Sequence, residues 1–292
     1  MSARRRGERR LGWLLCAPAV AALLLVTAYP ILYACWLSLF RYDLRFPGER
    51  LFIGLENYAS ILTSDVWWHA LGNTLIITVG SVTVELLLGF ALALFMHRTL
   101  VARRAVRATL LVPYAIITVV AALAWKFAFD PVTGFVNGLI GLETAWLTQR
   151  WSAFFVIIFT EIWKTTPFMA LLLLAGMTLV PAEVLQAARV DGAGAWRRLF
   201  GITLPLMKST FMVALLFRSL DAFRIFDTVY VQTRGAQHTG TVSILGYNTL
   251  ITRLNLGLGS AVAVLIFLCV VLIAVLLVRG FGAPLFARRE RP

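Results

Sequence analysis

Ionisable residues lie inside apolar runs of this sequence, among them Glu85, Glu161, Lys164, Arg218, Asp221, Arg224 and Asp227. Charge in hydrocarbon is expensive, so such residues survive where they pair or where they line a polar path. Carboxylates accept hydrogen bonds from hydroxyls, and Lys and Arg donate them. The set could therefore hold an uncharged, hydroxyl-rich solute. Tyr114, Trp163 and Phe168 offer aromatic faces for the apolar side of a ring, although packing is the commoner use of an aromatic in such a run. The plainer role for the charges is pairing along a helix: Glu161 with Lys164, Arg218 with Asp221, Arg224 with Asp227. Each i,i+3 step drifts about 60° around a helix, so the four from Arg218 to Asp227 cannot share one face. Arg218 and Asp221 are expected to reach the path, Arg224 and Asp227 to hold packing near the outer interface, and Glu85 to be structural.

The elements that carry these residues follow from composition. The chain has 292 residues, 60% hydrophobic and 14% charged, with a mean hydropathy of +0.84. That excess of apolar surface defines a polytopic membrane protein. Six segments reach the length of about 20 apolar residues that a span requires: 11–40, 71–97, 107–129, 153–180, 206–230 and 257–281. Exposed backbone is not tolerated in lipid and nothing alternates like barrel strands, so the spans are read as helices of one membrane domain. The first run is too long for a signal-peptide core and is taken as a first membrane helix. Counting about 1.5 Å per residue from each entry point puts Glu161 and Lys164 roughly 12–17 Å deep, Arg218 and Asp221 roughly 18–22 Å, and Tyr114 and Thr118 roughly 10–17 Å. In a core of about 30 Å all three sets converge near the midplane, where an alternating-access site would lie.

The formal charge is +13. With the N-terminus inside, 17 of the 27 Lys and Arg fall in the segments 1–10, 98–107, 181–208 and the tail, against six in outer loops. That asymmetry predicts both termini in the cytoplasm and explains the basic excess without nucleic acid. No phosphate-cradling glycine loop, HExxH or Cys/His cluster occurs. His69, His97 and His238 stand alone, and His97 is expected among lipid headgroups. Cys16, Cys35 and Cys269 lie in apolar runs and read as small buried hydrophobes. A membrane-embedded enzyme would need a carboxylate cluster for a metal. The inner segments offer only the scattered Glu8, Glu183, Asp191 and Glu290. Neither catalytic nor metal-binding residues are expected; a passive channel is the third class.

One inner segment, 181–205, is unusually polar: QAARVDGAGAWRRLFGITLP runs from Gln186 to Pro205. Helix formers lead to Asp191-Gly192, a helix-boundary signal, and Pro205 suits the first turn of the next span. Residue types alone leave it balanced between an interfacial connector, its arginines reaching lipid phosphates, and a docking surface for another protein. The spacing QAA-x3-G-x9-I-x-LP resembles the EAA loop of membrane permeases in binding-protein-dependent ABC importers. AYPILYACWLSLFRYDL, FIGLENYASIL, NTLIITVGSV, LGFALALFMHR and FDTVYVQTRG resemble the MalF-like carbohydrate-importer branch in the same order. WKTTPFMALLLLAGM and LFRSLDAFRIFDTVYV resemble its trehalose-importer type.

The resemblance implies an all-α integral membrane protein with six transmembrane helices, a type I importer permease fold spanning 11–281, between a basic 1–10 segment and a basic 282–292 tail. It implies residence in the bacterial inner membrane. Gln186, Ala187, Ala188, Asp191, Gly192 and Ala193 would form a coupling helix docked on an ATPase. Gln186 stands where the family usually has Glu, which removes a charge from the dock. Tyr114, Thr118, Glu161, Lys164, Thr165, Phe168, Arg218 and Ala222 match positions that hold sugar in maltose-type permeases, with Asp221 beside them. The charged Glu161, Lys164 and Arg218 are unlike that pattern. Implied partners are a second permease forming a heterodimer, two ATPase subunits that hold ATP and Mg, an extracytoplasmic sugar-binding protein or lipoprotein, and lipid. A disaccharide, trehalose or maltose-like, is the expected solute; glycerol phosphate or another oligosaccharide is the alternative.

Overall fold

The computed structural model describes residues 3–46, 48–98 and 103–281. The tail at 282–292 and the side chains of the basic 1–10 segment lie outside the described residues. The chain forms two compact units, Met1–Asp65 with Gly246–Phe267, and Val66–Leu245 with Leu268–Pro292.

In the first unit, α1 (Ala3–Leu23) and α2 (Tyr29–Leu37) are joined through a π turn, Leu24–Ala28. Pro30 has no N–H to donate and its ring would meet the carbonyl four residues back. Widening to an i−5 bond, Tyr29 N–H to the Leu24 carbonyl, relieves this without ending the helix,. A two-residue antiparallel pair, β1 (Phe40–Arg41) with β2 (Leu51–Phe52), departs from the all-α expectation. It is followed by α3 (Glu56–Leu62). Buried Asn57 donates to the carbonyls of Ser38 and Phe40 at 2.8 and 2.9 Å, which ties α3 to the pair. In the turn between the strands Arg45 donates to Asp43, holding its carboxyl at about 2.

The second unit contains α4 (Asp65–Arg98), α5 (Arg103–Ala115), α6 (Thr118–Ala128), α7 (Val136–Ile140), α8 (Arg150–Thr178), α9 (Ala182–Val190) and α10 (Ala195–Arg198). It continues through a second π turn, Leu199–Thr203, into α11 (Leu204–Leu206), α12 (Lys208–Phe223) and α13 (Asp227–Gln232). After α14 (Val242–Tyr247) the chain returns to the first unit, which holds the π turn at Asn248–Thr252 and the first half of α15 (Leu256–Gly280); the rest of α15 belongs to the second unit. Among the described residues four helices are long and apolar enough to cross a membrane: Trp13–Leu37, Asp65–His97, Arg150–Thr178 and Leu256–Gly280. Two bent pairs raise the number to six if each is one span. They are Ala108–Ala115 with Thr118–Ala128, bent by 91°, and Ala195–Leu206 with Lys208–Gln232, bent by 65°. The sequence reading took 107–129 and 206–230 as continuous. Ile117 turns extended at φ −57, ψ 134 and breaks the first; Met207 ends α11 and breaks the second.

α8 is the axis of this unit. One stripe of α4 at four-residue spacing (Ile77, Ser81, Glu85, Gly89, Ala93) is buried throughout, as is the α8 stripe Ile157, Glu161, Thr165, Met169, Leu173. Spacing by four keeps each stripe near one helix face. Apolar clusters form at both ends: Ile77, Phe154, Ile157, Ile225, Val229 and Ile244 at one, and Ala93, Met169, Leu173, Met177, Met207 and Ala214 at the other. The charged members of the stripes fall between the clusters. The helices come close at Gly89, where any Cβ would lie 2.8 Å from Met169 Cγ and 3.2 Å from the Ala170 amide.

Candidate functional site

Between the two apolar clusters lies a cavity of about 260 Å³. Its wall comes from two places where helices are interrupted and from the middle of α8. The α5–α6 break gives Tyr114 and Thr118. α8 gives Glu161, Lys164 and Thr165, just ahead of Pro167. The α12–α13 interruption gives Asp221 and the run Arg224 to Thr228. Lys126 Nζ donates to the Val231 carbonyl at 3.0 Å, and Gln232 donates to Thr160 at 2.8 Å, so α13 is pinned to α6 and α8. The Tyr114 ring stacks on Phe168 at 5.0 Å and 12°, with Lys164 Nζ 5.4 Å from the ring centre. Tyr114 remains 41% exposed, so part of the platform is open to a ligand.

Beside the cavity is a buried ion cluster. Arg218 donates from Nε and Nη2 to the two Glu85 oxygens at 2.5 and 2.9 Å. Nη2 also donates to Glu161 Oε2 at 2.9 Å, and Nη1 to Asp221 Oδ2 at 2.6 Å. The other Glu161 oxygen accepts from the Thr228 hydroxyl at 2.5 Å. Glu85 is fully buried and Arg218 nearly so, whereas the Asp221 side chain is 74% exposed.

This geometry corrects several expectations. Arg218, expected to reach the path, does not line the cavity, because three carboxylates hold it among the helices. Ala222 is likewise buried off the wall, and Phe168 is off the lining but stacks on Tyr114, which is on it. Glu161 pairs with Arg218, and among the described residues it makes no pair with Lys164. Glu85 is not alone. Arg224 and Asp227, expected at the outer interface, face the same cavity as Asp221. The 60° drift assumed an unbroken helix, but α12 stops at Phe223 and α13 starts anew at Asp227. Cys16 is exposed and Cys35 and Cys269 are half-buried, since their helices leave apolar faces uncovered.

The polar segment folds as a helix, a turn and a second helix. Gln186, Ala187 and Ala188 lie in α9, Asp191 caps it, and Gly192 has φ +75. The Gly192 N–H reaches the Arg189 carbonyl at 3.1 Å and the Ala193 N–H the Ala188 carbonyl at 2.8 Å. That pair of bonds is a Schellman cap, which places its left-handed residue where only glycine fits easily. Exposed Val190 (88%) and Trp196 (74%) flank the turn. His97 lines a neighbouring cleft with Arg189 and Arg198.

Apolar helices that break around a polar cavity are an arrangement found in membrane transporters. Residues 85–285 match the model of the family described as binding-protein-dependent transport system inner membrane component, and the chain belongs to that family. It is thus a transporter subunit and not an enzyme. It is 54% identical to the trehalose transport system permease protein SugA of Mycobacterium tuberculosis, over 96% of this chain and 91% of that one. It is 37% identical to the trehalose/maltose transport system permease protein MalF of Thermococcus litoralis, over 90% of each. Its fold superposes on a chain of a bacterial ABC transporter that imports the acidic polysaccharide alginate. The TM-score is 0.80 at 21% identity, covering 96% of this chain and 98% of that one.

Proposed function

We propose that this chain is one of two permease subunits of an ATP-driven importer, that six spans place both termini inside, and that a neutral disaccharide of the trehalose or maltose kind crosses at the cavity. One observation carries the choice of solute: the wall presents three carboxylates, Glu161, Asp221 and Asp227, against two cations, Lys164 and Arg224. Arg218, the cation that would suit a phosphate, is held off the wall by Glu85. Such a lining accepts hydrogen bonds from hydroxyls and repels a solute anion. The Tyr114–Phe168 stack offers a face to a sugar ring. The names borne by the trehalose and maltose relatives support the same reading.

In this reading the α9–Gly192–α10 element docks on an ATPase subunit, through Gln186, Ala187, Ala188, Asp191, Gly192 and Ala193. ATP and magnesium belong to those partners. A second permease completes the path and an extracytoplasmic binding protein or lipoprotein delivers the sugar. The test is ATP hydrolysis by the assembled transporter with trehalose, maltose or glycerol 3-phosphate supplied in turn. Stimulation by a disaccharide and none by the phosphate is expected; the reverse order would sink the proposal.

A further inference from the structure

Glu85 and Arg218 are the members of the ion cluster that line no part of the cavity, and α4 contributes nothing to its wall. Yet the Glu85 carboxylate takes one whole edge of the Arg218 guanidinium, from Nε at 2.5 Å and Nη2 at 2.9 Å. Two parallel bonds fix the plane of a guanidinium as one bond cannot. With the plane fixed, the remaining donors have set directions: Nη2 to Glu161 and Nη1 to Asp221. Both of those carboxylates do line the cavity. Neutralising Arg218 does not require Glu85, since Glu161 and Asp221 already face it. What Glu85 adds is direction.

We propose that Glu85 is a positioning residue of the transport path: it clamps Arg218 so that the cavity meets its solute with the carboxylates of Glu161 and Asp221, while the guanidinium stays out of reach. The inference rests on the cavity being the sugar path, as proposed above. Glutamine at this position has nearly the same volume, but its NH2 cannot accept one of the two bonds. The clamp becomes a single hinge, and Arg218 is free to follow its other two carboxylates toward the cavity. The wall then loses acceptors that a neutral sugar needs.

The experiment uses the complete transporter, with both permeases, the ATPases and trehalose-loaded binding protein, in liposomes. Sugar uptake and ATP hydrolysis are measured together for Glu85→Gln, Glu85→Asp and Glu161→Gln. Glu85→Gln is expected to lower uptake about tenfold, as a small misplacement of binding groups does, while hydrolysis stimulated by the loaded binding protein is maintained. The ATP used per sugar therefore rises. Glu85→Asp, charged but too short to hold the whole edge, falls between Gln and wild type. Unchanged uptake per ATP in Glu85→Gln overturns the proposal, as does a proportional loss of uptake and hydrolysis. If Glu85→Gln does not assemble, the ratio in Glu85→Asp decides, and a wild-type ratio there overturns the proposal. Normal uptake in Glu161→Gln means the cavity itself is misread. Impaired uptake in Glu161→Gln beside a normal Glu85→Gln removes only the role given to Glu85.

Discussion

Tyr114 has one ring face against Phe168 and a cation over it, with no hydrogen bond from its hydroxyl among the described contacts. If the ring serves as a platform, stacking is what matters and the hydroxyl is incidental. Tyr114→Phe should keep sugar uptake within about twofold, whereas Tyr114→Ala should lower it roughly three- to tenfold, the worth of one aromatic contact. Equal losses in the two variants would shift the role to the hydroxyl. The convergence of Tyr114, Thr118, Glu161, Lys164 and Asp221 on one cavity was legible from depth counting, because rise per residue is nearly constant,; Thr165 came from the family resemblance. The placement of Arg224 and Asp227 was not. Direction around a helix accumulates from residue to residue, so one break between Phe223 and Asp227 undoes the count. The local sequence Arg224-Ile225-Phe226 contains neither Gly nor Pro to announce that break. Glu85 was illegible for another reason: its partner lies 133 residues away.

At the scale of elements, the polar loop was the most legible part of the chain, since Asp191-Gly192 is a local signal and the cap it forms is local chemistry. Within this chain nothing lies within 4 Å of a Cβ added at Gly192, so a substitution there meets no clash in the chain itself and strains the left-handed backbone. A left-handed L-residue costs roughly 1–2 kcal/mol, and asparagine tolerates the conformation better than most. Gly192→Asn should therefore retain most uptake, while Gly192→Val should unwind the cap and lower both uptake and recovery of the ATPase with the permease. Equal behaviour of the two variants would place the requirement elsewhere than in the turn. The close approach of α4 and α8 at Gly89 is the corresponding long-range device. Glu85 lies one turn from Gly89 and Glu161 two turns from Met169, so this approach lets both carboxylates reach one arginine. No sequence pattern marks Gly89 for that purpose, because the distance it sets is between segments.

For the molecule as a whole, the membrane-length helices differ in how much of their apolar surface the chain itself covers. The most apolar stretch of α8 is 56% buried, that of α15 is 11%, and that of Trp13–Leu37 is 0%. Composition marks all of them as apolar enough to cross a membrane, but hydropathy cannot separate a covered helix from a bare one, because lipid and protein interior are equally apolar,. Two leucines expose the difference. Leu173 in α8 is fully buried, while Leu32 in α2 is 67% exposed. In detergent or lipid the transfer part of a Leu→Ala loss largely vanishes, and the loss of packing contacts remains. Leu173→Ala should cost the isolated full-length chain about 1–3 kcal/mol, seen as a lower melting temperature. Leu32→Ala should leave that temperature nearly unchanged, because the chain covers only a third of that side chain. The same pair measured in the complete transporter then reports on assembly. A cost for Leu32→Ala that arises only there means that the second permease, and not lipid, covers the first helix. A cost in the isolated chain would instead show that this helix packs against its own chain, contrary to the structure.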